Sequence, residues 1–197
     1  MRSLFFLSSA FAPLSGWLAG WQGAMVTFGL RACITAVFSH LSSCIMLVYH
    51  LPTLFASFFF ILGSNQNKAS YQRWFIWGTL GVCSLLFIYH PLGSQAWIYT
   101  LVWLVPLFAL KNQTNLFCQA LISTFIAHAT GSVIWLYAGL GPATADGWIA
   151  LIPLVIIERI LLAGIMSFGM LSIMKIQTYV GQTKTSLPAL STTVQDL

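Results

Sequence analysis

Charge is what this chain has least of. Of its 197 residues, eight are Lys or Arg and three are Asp or Glu, 6% in all, where a soluble domain averages about a quarter. With 58% hydrophobic residues, such a composition excludes an ordinary soluble domain and indicates a polytopic membrane protein of one domain. Cysteine is sparse too. Cys33, Cys44, Cys83 and Cys118 lie far apart inside or beside apolar runs, and no CxxC occurs. That pattern excludes a thiol oxidoreductase and a sulfur-rich metal site, and the four read as small buried hydrophobes. A Gly-rich phosphate loop, a paired-histidine zinc motif and a Gly-x-Ser-x-Gly elbow are all missing, so the chain is not expected to be an enzyme. The formal net charge of +5 reports membrane orientation, not a nucleic-acid partner.

What is present in abundance is long apolar sequence. The run from Trp148 to Lys175 is the longest and carries Glu158, the only Glu, followed by Arg159. A bilayer core needs about 20 residues of helix. Glu158 lies ten residues beyond Trp148, so about 15 Å along a helix and near the midplane. A carboxylate there costs on the order of 3 kcal/mol and needs a partner, which makes it a functional-site candidate. The alternative is a packing clamp, with Glu158 and Arg159 pairing to neighbouring helices.

Further spans are expected over residues 23–49, 73–89, 97–110 and 116–138, with a first helix before residue 23 and a short apolar segment at 53–63. His50-Leu51-Pro52, His90-Pro91-Leu92-Gly93 and Lys111 to Asn115 punctuate them. The fold class is therefore all-α, a bundle of six or seven transmembrane helices over residues 1–176, with a polar, disordered cytoplasmic tail at 177–197. Ser123, Ala127 and Gly131 form a small-residue face, so their helix is expected at the centre of the bundle. Pro106 and Pro153 are expected to kink their helices. Lys68 with Arg73, Lys111, and Lys175 with Lys184 fall on one side of this topology, whereas turns 90–93 and 139–147 carry no Lys or Arg. The positive-inside rule then puts the C-terminus in the cytoplasm, in an inner (plasma) membrane.

His40, His128 and Glu158 all fall about 15 Å from the outer surface in this topology. With Arg159 they are expected to form one polar layer. Above it, aromatic residues gather near the outer helix ends. An interfacial belt accounts for such residues in general. The functional alternative is a pocket with Trp97, Tyr99 and Trp135 as walls, Gln95 at its rim, and His128, Glu158, Arg159 and His40 as polar anchors.

Two other chemistries match parts of this histidine pattern. His128 and Ser132 stand at i, i+4, the spacing of a serine with its base, but no second feature supports a protease. Four histidines can hold two b-type haems, as His40 with His128 and His50 with His90. The leading function needs no cofactor.

The first helix carries Ala12-x-x-x-Gly16-x-x-x-Gly20-x-x-x-Ala24, small residues that allow close helix docking. With the chain's size and hydropathy, this face resembles the first helix of the substrate-binding S component of an energy-coupling-factor vitamin transporter. The resemblance implies about six helices, an outward-facing pocket for a small vitamin-like nutrient, and docking through Ala12, Gly16, Gly20 and Ala24 on a transmembrane coupling subunit with ATPases. A non-transporting membrane scaffold, with Glu158–Arg159 as a clamp, is the rival function.

Overall fold

The computed structural model describes residues 2–39, 43–63 and 69–186, with side-chain surroundings for 13–34, 50–62 and 70–179. His40 lies outside the described residues, as does the side chain of Ala12. Every regular element among the described residues is helical. In chain order these are α1 (Arg2–Ser39), α2 (Ser43–Gly63), α3 (Ala69–Tyr89), α4 (Pro91–Gln95), a 3-10 helix (Trp97–Leu104), α5 (Val105–Ala109), a 3-10 turn (Leu110–Asn112), α6 (Leu116–Tyr137), α7 (Ala145–Ala150) and α8 (Ile152–Ser186). Two stretches are long and apolar enough to cross a membrane, Leu116–Tyr137 and Ala145–Tyr179.

α6 is the hub. It packs against α2, α3, α5 and α8. The small-residue face does this work on the α2 side: Ser123 Oγ donates to the Ala56 carbonyl at 3.3 Å, and Gly131 leaves room for Pro52. Large residues at either position would hold the two backbones apart. Asn115 caps the start of α6, its side chain accepting from the amides of Phe117 and Cys118. The helix ends in a Schellman turn, with the Leu140 and Gly139 amides donating to the Trp135 and Leu136 carbonyls.

Several expected boundaries move. α1 is two helical limbs meeting at Ala19 and Gly20, where Gly20 takes φ 57° and ψ −139°. Ser15 and Gly23 would be about 12 Å apart along a straight helix. Here the Ser15 carbonyl lies where a Gly23 side chain would start, so the limbs fold back sharply. The Ala12–Ala24 stripe is therefore not one continuous helix face. Gly16 packs on Ser57 of α2 and Ala24 is buried, while Gly20 forms the bend. α2 runs unbroken through His50-Leu51-Pro52, where a helix end was expected. Pro52 withholds one backbone donor. The next residue, Thr53, donates its Oγ1 to the His50 carbonyl at 2.8 Å, and one turn on Ser57 Oγ donates to Thr53 O at 2.9 Å.

Pro106 and Pro153 stand in the first turns of α5 and α8. They start helices instead of kinking them, because the first-turn N–H has no intrahelical partner to lose. α8 continues to Ser186, ten residues into the expected tail.

α4 turns the chain beneath the end of α3. His90 caps it, Nδ1 accepting from the Leu92 amide at 3.2 Å, with Pro91 opening the helix. Gly93 is buried, and a methyl on it would fall on the Phe87 carbonyl oxygen. That obstacle is backbone and cannot rotate away. Gly93→Ala is expected to cost about 1–3 kcal/mol and to lower the melting midpoint in detergent by roughly 5 °C. Gly78→Ala and Gly81→Ala, on open surface of α3, should leave it unchanged or raise it. Equal effects at all three positions would contradict the close packing of α4.

Candidate functional site: a polar seam on α6

Thr124, His128 and Ser132 recur every four residues, so they share one face of α6. Two elements close over that face. From the 3-10 helix, the Tyr99 hydroxyl meets His128 Nε2 at 2.8 Å and Ser132 Oγ at 3.3 Å, while Ser132 Oγ lies 3.4 Å from the same nitrogen. From α8, Arg159 Nη1 approaches the Thr124 carbonyl at 3.5 Å, and Nη2 pairs with Glu158 Oε2 at 2.9 Å. Arg159 is close enough to act electrostatically on both His128 and Tyr99. Tyr99, Thr124 and Ser132 are buried, and His128 is half-buried. The seam thus joins a hydrogen-bonded trio at one end to an ion pair at the other, one helical turn apart.

The trio sits under an aromatic cluster. Phe87, Tyr99, Trp103 and Trp148 are each 1% exposed or less. Phe87 stacks on Tyr99 at 5.5 Å and meets Trp103 and Trp148 edge-on at 5.5 and 5.2 Å. Trp148 meets Tyr99 edge-on at 5.1 Å. These are the offset and edge geometries that ring quadrupoles favour. The Trp148 indole N–H donates to the Pro142 carbonyl at 3.0 Å, which ties the 138–147 loop over the cluster.

Of the eight expected binding residues, Tyr99, His128, Glu158 and Arg159 converge on this seam. Trp97 and Trp135 do not line it: they are 51% and 49% exposed, and Gln95 is exposed on α4. Their place as aromatic walls is taken by Trp103 and Trp148, with Phe87 between them. Thr124 and Phe87 were not singled out from the sequence. The spacing Thr124-x-x-x-His128-x-x-x-Ser132 was the available signal for Thr124. No such signal marked Phe87, one apolar residue within an apolar run.

Among the described residues no three His, Cys, Asp or Glu side chains cluster as a metal site. The three described histidines are occupied separately. His128 Nε2 holds the Tyr99 phenol, His90 caps α4 and meets the Tyr137 ring at 5.1 Å, and the buried His50 faces Phe28 of α1. For Ser132, the same His128 nitrogen that would have to take its proton is held more closely by the phenol.

Comparison with protein-family models, curated proteins and solved structures finds no match to this chain.

Proposed function

We propose that this chain is a multi-pass membrane subunit that binds a small solute at the Tyr99–His128–Ser132 trio, for uptake with partner ATPase subunits. The observation that carries it is a hydrogen-bonding cluster of Tyr99, His128 and Ser132 enclosed in an apolar helix bundle. Polar side chains at membrane depth are costly and mark solute pathways. The bilayer placement rests on the outward residues of the long helices. Leu154, Ile157, Leu161 and Phe168 on α8 are all more than half exposed, a surface that water does not tolerate and lipid does. The Lys and Arg distribution supports a cytoplasmic C-terminus on an inner membrane. Gly16 and Ala24 are already covered inside this chain, so a coupling subunit would dock on exposed α1 residues such as Val26 and Leu30.

The test is purification in mild detergent, with mass spectrometry of what copurifies. The expected result is a stoichiometric small molecule, retained by the wild type and lost from His128→Leu at an unchanged elution volume. Tyr99→Phe, which removes one hydrogen bond worth about 1 kcal/mol, should weaken retention roughly fivefold. Retention that ignores both substitutions would remove the trio from the site.

A second reading is a non-transporting scaffold, favoured by Arg159 reaching across from α8 to the Thr124 carbonyl of α6. Glu158→Gln separates the two. A clamp that depends on the charge pair loses folded protein. A binding subunit still folds, at a lowered melting midpoint because Arg159 loses its counter-charge although the amide oxygen accepts from it, and solute binding is what changes.

A further inference from the structure

The buried polar atoms left over around the seam are donors. Arg159 Nε and Trp103 Nε1 are both buried without a hydrogen-bond partner. Trp103 lies against Tyr99 at 6.0 Å between ring centroids, at the trio end. Arg159 lies at the other end, and its Nη1 contact to Thr124 O, at 3.5 Å, is at the limit of a hydrogen bond. A buried donor with no acceptor costs about 1–3 kcal/mol. A solute acceptor that reaches either donor would recover this for that donor.

The charge of that solute is set by Glu158. Its carboxylate pairs with Arg159 at 2.9 Å, with the two side chains 33% and 13% exposed respectively. The guanidinium is therefore already neutralised. A carboxylate or phosphate arriving at Nε would leave one uncompensated negative charge in a low-dielectric seam, a cost of several kcal/mol. A carbonyl oxygen satisfies Nε–H with no such cost.

We infer that the solute is neutral and binds through carbonyl-type oxygen acceptors, and that Glu158 is the residue that rejects anions. This rests on the binding reading above, and it names the substrate class for the same site. Glu158 acts here through Arg159, as a positioning and charge-setting residue.

The test uses two matched pairs of probes, benzamide with benzoate and propionamide with propionate, titrated into the full chain in lipid nanodiscs by calorimetry. The wild type is expected to bind at least one amide, and at least tenfold more tightly than its carboxylate. Glu158→Gln, which leaves Arg159 without its counter-charge, should reverse that order by at least tenfold. Glu158→Asp should keep it. A wild-type carboxylate that binds as well as its amide overturns the inference while leaving the site standing, and so does an unchanged order in a folded Glu158→Gln. Binding of none of the four probes to any of the three proteins overturns the site itself. If Glu158→Gln does not fold, the wild-type and Glu158→Asp orders decide.

Discussion

Trp148→Ala is expected to lower the melting midpoint of the detergent-solubilised protein by roughly 10 °C or more. Removing a fully buried tryptophan costs about 3–5 kcal/mol, and each kcal/mol shifts a chain of this size by about 2–4 °C. Several contacts fail together here. Phe87 and Tyr99 lose their edge-on partner. The Pro142 carbonyl loses its donor. The 138–147 loop loses the surface it wraps, since Gly141 is packed so closely on the indole that a Cβ would enter the ring. In a bilayer these losses are of dispersion and hydrogen bonding, because lipid is as apolar as the core. Trp148→Phe should recover much of the packing and leave about 1 kcal/mol for the missing N–H. Trp97→Ala and Trp135→Ala, at half-exposed positions, should each shift the midpoint by only about 2 °C, within the ordinary range for surface substitutions. Fluorescence-detected size exclusion after a heating series measures all four. A Trp97 variant as damaging as Trp148→Ala would contradict the placement of these rings.

That contrast also shows where the sequence was legible. Apolar run length identified α3, α6 and α8, but not the bounds of α1 and α2, nor that the expected 97–110 span divides into a 3-10 helix, α5 and a 3-10 turn. The small residues Ser123, Ala127 and Gly131 identified α6 as the helix others pack on. Three polar members of the candidate site were legible because they are rare residue types in an apolar chain, His128, Glu158 and Arg159, whereas Thr124 was not. The orientation of the aromatics was not. Trp97 to Leu104 reads WIYTLVWL, with almost no polar residue to mark an outward face. The segment then folds as a 3-10 helix, whose three-residue turn sets the phase. Tyr99 and Val102 point inward, as do Thr100 and Trp103, while Ile98, Leu101 and Leu104 point out. A 3.6-residue period rotates this assignment further with every turn. The Gly20 bend was hidden similarly. Gly16, Gly20 and Ala24 fit an unbroken small-residue stripe, and only backbone geometry reveals that Gly20 is where the stripe turns.

Arg159→Met carries the other large expected effect, and the reason lies in which charge is left behind. The methionine fills the same volume on α8 with no donors. Glu158 then faces the α6–α8 interface with no counter-charge, and the Thr124 carbonyl loses its cross-helix contact. Breaking a buried pair by deleting one partner costs about 3–5 kcal/mol, whereas replacing both by uncharged groups is often neutral. Glu158 is 33% exposed, so the lower end of that range applies. The single variant should lose roughly 3 kcal/mol, seen as a fall in the folded fraction recovered from membranes. The double variant Glu158→Gln with Arg159→Met should recover most of it, since no charge remains to be compensated. Yet the same double variant removes the Nε–H offered to the solute. Its fold should return while amide binding does not. A double variant that binds benzamide like the wild type would place the ion pair outside the binding seam. One that stays as damaged as the single variant would mean that Arg159 stabilises the bundle through its reach to α6 and not through the pair.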